Sequence, residues 1–222
     1  LWTTFSRDQV DLNFAEPAVL LEVLDILLFY VQQGAAALRL DAIAYLWKKV
    51  GTACIHLPET HEVVKLLRTV FAAVCPDVLI LTETNVPHKE NISYFGNGRD
   101  EAQMVYNFPL APLVLYSLLS GDATVLSRWA AGLQDENVGR ENTFLNFSAT
   151  HDGIGVRPTE GLLSTRKRDL LSEKTRAHGG RVSFKQNPDG SKTPYELNIS
   201  FFDALNDPKA VEDRSIQVDR FM

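Results

Sequence analysis

The most constraining feature of this sequence is a set of three apolar runs of strand length, each leading into an acidic residue. The acids are Asp41, Glu83 and Asp152, and each lies where a buried strand is expected to give way to a loop. Helical patterns separate the runs, so the strands are expected to be parallel. The ends of successive parallel strands gather at the C-terminal rim of a barrel. The sequence therefore predicts an α/β fold with carboxylates clustered at one end of a sheet.

Hydrophobic periodicity and terminating residues divide the chain into alternating helices and strands. Pro17 begins the first helix, Gly34 ends it, and Pro76 follows the second helix. The second strand is apolar on both faces, as in a parallel sheet that helices cover. The predicted helices span about residues 17–33, 58–73, 110–119, 123–133 and 166–176, and the predicted strands span about 37–41, 78–83, 103–108 and 144–150.

The predicted strands are half the number that a (β/α)8 barrel needs. We therefore expect part of a TIM (β/α)8 barrel, about strands four to seven, with an inserted small subdomain or lid. The insert is indicated by a charged helix and by a hairpin around Asn187-Pro188-Asp189-Gly190, a sequence typical of turns. The expected domains are a partial barrel at residues 1–157, a lid or hairpin subdomain at 158–200 and a return to the barrel at 201–222.

A partial barrel has consequences for assembly. Its sheet edges and apolar helix faces would be exposed, and such surfaces tend to pair. We therefore expect the piece to form a homodimer or to belong to a longer chain. Taken alone, it is expected to be inactive.

Composition excludes several classes of partner. The 222 residues carry a net charge of −6, which argues against nucleic acid or an anionic membrane as the main partner. The longest apolar run, residues 18–31, is interrupted by Glu22 and Asp25 and is shorter than a membrane span. Nothing at the N-terminus predicts a secretory signal, so a cytoplasmic location is expected.

The cysteines and two histidines give little support for a disulfide or a metal site. Cys54 and Cys75 are the only two cysteines, and the sequence leaves a disulfide between them open. A reduced pair is favoured in a cytosolic protein. His56 and His61 are five positions apart, but no Cys or His pair nearby completes a ligand set, so no metal is expected.

Four short segments carry a family resemblance. They are Gln9-Val10-Asp11-Leu12-Asn13, Arg39-Leu40-Asp41-Ala42-Ile43, Glu83-Thr84-Asn85 and His151-Asp152. In this order they resemble signature segments of the α-amylase superfamily of glycoside hydrolases. The wider sequence, including Gly51-Thr52-Ala53-Cys54, is similar to the sucrose phosphorylase branch, and the resemblance spans nearly the whole chain. It implies that barrel strands one to three precede the chain and that strand eight and a β domain follow it.

The resemblance implies a retaining mechanism with Asp41 as the nucleophile, Glu83 as the general acid/base and Asp152 as the transition-state stabiliser. Such a mechanism needs two carboxyl groups about 5 Å apart, one to attack and one to protonate. Arg39 is expected beside Asp41, because side chains two apart on a strand share a face. Its charge favours the ionised nucleophile. No basic residue is close to Glu83 in sequence, which suits an acid that stays protonated near neutrality.

The resemblance also implies a set of substrate-binding residues. Those expected to hold the sugar are Arg39, His151, Tyr45, Phe5 and Gln9, and those expected to contact the acceptor are Thr84 and Asn85, with His88 and Lys89 further along the same loop. Each residue has a structural alternative. Arg39 and Asp41 could form an ion pair that ends a strand, and Asp152 could start a turn. Three acids in one family's order favour the catalytic interpretation.

The expected function is transfer of a glucosyl group from an α-glucoside to inorganic phosphate. Glu83 is followed by Thr-Asn-Val-Pro-His, where the sucrose phosphorylase branch would have Val-His, so glycerate or glycerol is expected in place of fructose as the acceptor. The alternatives are an α-glucosidase or transglucosylase of the same superfamily and a noncatalytic protein on the same scaffold. Noncatalytic relatives would be expected to lack one of the acids. The chemistry requires no metal or organic cofactor, because phosphate is a substrate.

Overall fold

The computed structural model describes residues 1–133, 139–187 and 189–222. The helices are α1 (Pro17–Gln32), α2 (Pro58–Val74), α3 (His88–Asn91), α4 (Leu110–Ser120), α5 (Thr124–Leu133), α6 (Thr165–Ala177), α7 (Phe201–Leu205) and α8 (Arg214–Phe221). The strands are β1 (Ala37–Leu40), β2 (Leu79–Thr82), β3 (Met104–Tyr106), β4 (Thr143–Leu145), β5 (Ile154–Gly155), β6 (Arg181–Gln186) and β7 (Lys192–Asn198). These elements fall into two compact units.

The first unit comprises residues 1–84, 89–106 and the described part of 138–145. Its sheet has the strand order β1-β2-β3-β4, and every neighbouring pair is parallel. Each strand therefore lies beside the next strand in sequence, as in a barrel wall. The predicted set of four parallel strands is confirmed.

The two faces of β1 explain where the core of the first unit lies. Leu38 and Leu40 are buried, whereas Arg39 points to the opposite face and leads to Asp41. Helix α2 begins at Pro58, a residue suited to the first helical turn, and contributes Val64, among others, to the core. The residues packed around it include Leu24, Leu67, Phe71 and Ile80. Burying each such side chain stabilises the fold by about 1.5–3 kcal/mol.

The second unit comprises residues 85–88, the described part of 107–137, and 146–222. It contains a three-stranded antiparallel sheet in the order β5-β7-β6, with α4 and α6 packed against it. Its core includes Leu113, Leu115, Ile154, Leu171 and Leu197.

The hairpin β6–β7 confirms the predicted turn. The Asn187 N–H donates to the Ser191 carbonyl over 2.8 Å, and Gly190 has a φ of 82°. Pro188, which was part of the predicted turn, lies outside the described residues. The predicted charged helix is also present as α6.

Two predicted strands are too long. The strand expected at 103–108 spans only Met104–Tyr106. The strand expected at 144–150 ends at Leu145, and beyond it only an isolated bridge joins Thr150 to Gly153. The strand stops because its partner β3 ends at Tyr106, opposite Leu145, so the ladder has no further rung. The predicted domain boundaries at 157 and 200 stay a prediction.

Within the described ranges, no helix is both long and apolar enough to cross a membrane.

Candidate active site

Asp41 and Glu83 are held by the backbones of two adjacent parallel strands. Asp41 directly follows β1, and Glu83 directly follows β2. The hydrogen-bond ladder continues past both strands, because the Glu83 N–H donates to the Leu40 carbonyl over 3.0 Å and the Ile43 N–H donates to the Glu83 carbonyl over 3.3 Å. Both acids are therefore positioned by sheet register.

A single peptide group links the two acids. The Ala42 N–H, which belongs to the peptide bond with Asp41, donates to Glu83 Oε2 over 3.0 Å. Ala42 has a left-handed backbone with φ 46° and ψ 34°, a conformation that costs a residue other than glycine about 1–2 kcal/mol. Backbone strain next to Asp41 thus coincides with a hydrogen bond that fixes the Glu83 carboxylate.

Arg39 lies beside Asp41 as predicted. Its Nη1 is 2.7 Å from Asp41 Oδ1, and its Nε donates to the Tyr106 hydroxyl oxygen over 3.0 Å. Partial burial disfavours the charge of Arg39, but the hydrogen bond to Tyr106 and the negative charges of Asp41 and Glu83 outweigh it and raise the pKa of Arg39. The guanidinium therefore remains a cation that can stabilise ionised Asp41.

A cavity of about 180 Å³ opens next to Asp41 within the first unit. Phe5 and Tyr45 line it, and their rings pack edge to face with centroids 5.3 Å apart. Aromatic rings suit the apolar faces of a sugar ring, and a carboxylate beside them suits its polar edge. Gln9 is exposed and is not among the residues that line this cavity, so its contact with the sugar stays a prediction.

An ion pair on the wall of the cavity was not predicted from the sequence. Lys48 Nζ lies 2.8 Å from Asp11 Oδ2 and donates to Thr4 Oγ1 over 2.7 Å, and it also donates to the Tyr45 carbonyl. Burial opposes ionisation of Asp11, but hydrogen bonds from Lys48 and Thr4 together with the charge of Lys48 lower its pKa. This pair ties the N-terminal loop to the turn that follows Asp41.

Thr84 and Asn85 are both engaged inside the protein. In the first unit, Thr84 is 2% exposed and its hydroxyl donates to Asn91 Oδ1 over 2.8 Å. In the second unit, Asn85 Nδ2 donates to Glu196 Oε1 over 3.0 Å. A Cβ at Gly155 would lie only 2.9 Å from Asn85 Oδ1, so a glycine there makes room for the amide. The contacts of Thr84 and Asn85 with an acceptor stay predictions.

The residues further along the same loop lie in different settings. The imidazole of His88 lies edge to face with Trp129, with the ring centroids 6.2 Å apart. Lys89 is exposed. A contact of either residue with an acceptor or with phosphate stays a prediction.

His151 and Asp152 belong to the second unit and lie in a turn. His151 Nε2 is 3.3 Å from Asp152 Oδ2, and these side chains are 75% and 52% exposed. The turn is tied to β7, because Asn198 Nδ2 donates to the Asp152 carbonyl over 2.8 Å. Gly153 has a φ of 105°, and a Cβ there would lie 2.2 Å from the Leu197 carbonyl oxygen. Convergence of Asp152 with the other two acids stays a proposal.

The two histidines that were considered for a metal site and the two cysteines that were considered for a disulfide have other surroundings. His61 Nδ1 pairs with Glu101 Oε2 at 2.9 Å, and His56 Nδ1 lies 3.0 Å from the Tyr94 hydroxyl. Both cysteines are free thiols. Across the described part of the chain, no three His, Cys, Asp or Glu side chains lie close enough together to hold a metal ion.

Comparison with known proteins identifies the family. Residues 2–146 match the α-amylase catalytic domain. The chain therefore belongs to the α-amylase family of catalytic domains, and its parallel sheet is part of an α-amylase-type TIM barrel.

The relatives within this family include several phosphorylases. The chain is 52% identical over its whole length to glucosylglycerate phosphorylase of Allomeiothermus silvanus, of which it covers 40%. It is 49% identical over 93% of its length to glucosylglycerate phosphorylase of Escherichia coli K12, covering 36% of that protein. It is 33% identical over 98% of its length to sucrose phosphorylase of Agrobacterium vitis, covering 44% of it.

The fold agrees with a solved phosphorylase structure. The crystal structure of sucrose 6F-phosphate phosphorylase from Thermoanaerobacter thermosaccharolyticum superposes with a TM-score of 0.77 and 25% identity, over 92% of this chain and 41% of that one. The chain thus spans about two fifths of the length of the relatives it matches.

Proposed function

We propose that this chain forms part of the catalytic domain of a retaining α-glycoside phosphorylase. The observation that carries the proposal is the coupling of Asp41 to Glu83 through the Ala42 N–H, with Arg39 paired to Asp41. A retaining mechanism needs two carboxyl groups close together, and the ends of two adjacent parallel strands bring Asp41 and Glu83 to the same edge of the sheet. The likeness over the whole chain to glucosylglycerate phosphorylases supports the same assignment.

In the first step, Asp41 acts as the nucleophile. A carboxylate oxygen of Asp41 attacks the anomeric carbon, the glycosidic C–O bond breaks, and Glu83 donates its proton to the departing oxygen. The positive charge of Arg39 lies 2.7 Å from Asp41 Oδ1 and orients this carboxylate for the attack. The products are a β-linked glucosyl ester of Asp41 and the free aglycone.

In the second step, phosphate replaces water as the attacking group. Glu83, now ionised, accepts a proton from inorganic phosphate while a phosphate oxygen attacks the anomeric carbon. The ester bond to Asp41 breaks, and α-glucose 1-phosphate leaves with the stereochemistry of the original substrate. No external oxidant, metal or organic cofactor is needed for either step.

The other predicted residues take supporting roles in this proposal. Asp152 and His151 bind sugar hydroxyl groups more strongly as the ring flattens towards an oxocarbenium ion, which stabilises the transition state. Phe5 and Tyr45 form the aromatic wall of the sugar site, and Gln9 lines its entrance. Thr84 and Asn85 shape the acceptor side of the loop that follows Glu83.

We further propose glucosylglycerate as the substrate. Glycerate is then the aglycone that leaves in the first step, and it is the glucosyl acceptor when the reaction runs in reverse. The Thr-Asn-Val-Pro-His sequence after Glu83 differs from the Val-His expected for a fructose acceptor. The two relatives with 52% and 53% identity over the full chain are both glucosylglycerate phosphorylases. Sucrose and glucosylglycerol are the competing substrates.

The proposal is tested with the complete protein and three substrates. Glucosylglycerate, sucrose and glucosylglycerol are each incubated with and without inorganic phosphate, and glucose and glucose 1-phosphate are quantified. We expect phosphate-dependent glucose 1-phosphate formation, fastest from glucosylglycerate. Glucose released at the same rate with and without phosphate would reject phosphorolysis and would support an α-glucosidase. Glucosyl transfer to an added sugar without phosphate would support a transglucosylase.

Partners, location and domain limits follow from the same proposal. The partners are a small α-glucoside and inorganic phosphate, and neither nucleic acid nor a membrane is expected. We propose a cytoplasmic location, where phosphate is available and the two thiols stay reduced. We also propose that the complete protein forms a homodimer and that this piece alone is inactive. The domain boundaries at residues 157 and 200 remain proposals as well.

A further inference from the structure

We propose that Tyr106 is a positioning residue that orients Arg39 against the nucleophile Asp41. This inference rests on the proposed function, in which Arg39 supports glucosylation of Asp41. Tyr106 lies on β3 and takes no part in the two chemical steps described above. Tyr106 acts through Arg39 and not on the sugar.

The contacts place one guanidinium between two partners. The Arg39 Nε–H donates to the Tyr106 hydroxyl oxygen over 3.0 Å, while Nη1 of the same group lies 2.7 Å from Asp41 Oδ1. The guanidinium carbon also lies 5.6 Å from the centroid of the Tyr106 ring. A guanidinium is planar and rigid, so two contacts through different nitrogens fix its orientation.

The register of the sheet explains why a tyrosine is needed. Arg39 on β1 pairs with Leu81 on β2, and Leu81 pairs with Met104 on β3. Tyr106 lies two residues beyond Met104 and therefore points to the same face of the sheet. Its hydroxyl reaches Arg39 across the intervening strand, a distance that a short polar side chain at this position would not span.

The exposure of the pair explains why a second anchor matters. The Arg39 side chain is 34% exposed and that of Asp41 is 68% exposed. Ion pairs this exposed are weak, because water screens the charges and the long side chain loses rotamer freedom. Tyr106 is only 9% exposed and is held in the core of the sheet, so it supplies the fixed point that Asp41 does not.

The test compares two tyrosine variants of the complete protein. Tyr106→Phe removes the acceptor oxygen but keeps the ring. The matched control is Tyr94→Phe, because Tyr94 is also buried and its hydroxyl lies 3.0 Å from His56 Nδ1, not at Arg39. The substrate is α-glucosyl fluoride, whose good leaving group makes glucosylation of Asp41 depend little on Glu83.

We expect Tyr106→Phe to lower kcat/KM for the fluoride by about tenfold and Tyr94→Phe to lower it by less than about twofold. In an Arg39→Lys background, Tyr106→Phe should have no further effect on kcat/KM, because the guanidinium that the Tyr106 hydroxyl holds is already absent. Equal losses from the two tyrosine variants, or a Tyr106→Phe effect that persists undiminished beside Arg39→Lys, would overturn the inference.

A measurement on the unmodified protein covers the case in which Tyr106→Phe fails to fold. In NMR spectra, the Arg39 Nε–H should exchange with water more slowly than that of the exposed Arg99. Equal exchange rates would contradict a fixed guanidinium.

The exchange measurement also separates the role of Tyr106 from the proposed phosphorylase function. Absence of any turnover of the fluoride would reject the proposed function, while slow exchange at Arg39 would still support the role of Tyr106.

Discussion

The Asp41–Glu83 pair and the His151–Asp152 turn are built in different ways. The first pair follows directly from two adjacent strands and is fixed by backbone hydrogen bonds and by Arg39. The turn begins six positions beyond the last residue of β4, is largely exposed and is tied to the hairpin strand β7 through Asn198. Sheet register therefore places the proposed nucleophile and acid, whereas the turn that carries the proposed stabiliser is tied to β7. Variants in each region should separate these two kinds of positioning.

Removing the nucleophile should have the largest effect. Asp41→Asn keeps the size of the side chain but replaces the attacking carboxylate, so kcat for phosphorolysis by the complete protein should fall by about a thousandfold or more. Steady-state kinetics with the preferred α-glucoside measures the loss. Asp25→Asn, an exposed change on α1, is the control and should leave kcat within about twofold. A loss below about tenfold for Asp41→Asn would remove Asp41 from its role.

A change that displaces the turn should have the next largest effect. In Gly153→Ala, the new Cβ would clash with the Leu197 carbonyl oxygen at 2.2 Å in a backbone of φ 105°, so the turn must move. We expect kcat/KM to fall by about ten- to a hundredfold.

Gly161→Ala is the matched control for the turn. Gly161 also has a positive φ, of 82°, but nothing lies within 4 Å of the added Cβ. It should cost about 1 kcal/mol of stability and leave activity nearly unchanged. If both variants lost activity equally, the contact of the turn with β7 would not position Asp152.

Disrupting the ion pair beside the cavity should affect stability and substrate binding more than the chemical step. Lys48→Met leaves Asp11 without its cation in a setting where the side chains are only 13% and 18% exposed, which should cost about 2 kcal/mol in the free energy of unfolding. KM should rise, because the loop that carries Phe5 is no longer tied to the turn after Asp41. Lys49→Met, at a side chain that is 61% exposed, is the control.

The same ion pair predicts a pH dependence. The folded-state pKa of Asp11 is lowered, so its stabilisation is complete above the unfolded-state value of about 3.9 and is lost as the pH falls through the folded-state value. The difference in unfolding free energy between the unmodified protein and Lys48→Met should therefore be constant from about pH 7 to about pH 5 and should shrink as the pH falls further, towards about pH 2. A difference that stays constant down to about pH 2 would contradict the pairing.

Most of the fold could be predicted because the signals are local. Pro17, Gly34 and Pro58 mark helix ends that the structure confirms, and the apolar run of β2 marks a covered parallel strand. The neighbouring positions of Asp41 and Glu83 at strand ends followed from the same pattern. The ion pair of Arg39 with Asp41 followed from the two-residue period of a strand.

The remaining features depend on contacts that a local pattern does not contain. The length of β4 is set by where its partner β3 ends, not by the apolar residues that continue to Phe147. The pairing of Lys48 with Asp11 joins segments far apart in sequence, and the reach of Tyr106 to Arg39 depends on sheet register. The left-handed conformation of Ala42 has no signal in the sequence, because alanine rarely adopts it.

The central claim, that Asp41 is the nucleophile and Glu83 its acid/base partner, is tested most directly by trapping the covalent intermediate. In a Glu83→Gln variant of the complete protein, α-glucosyl fluoride should still glucosylate Asp41, while the missing base slows release. After acid quenching and digestion, mass spectrometry should find a hexosyl group on the peptide that contains Asp41. A hexosyl group on a different carboxylate, or none while the variant still consumes the fluoride, would contradict the account.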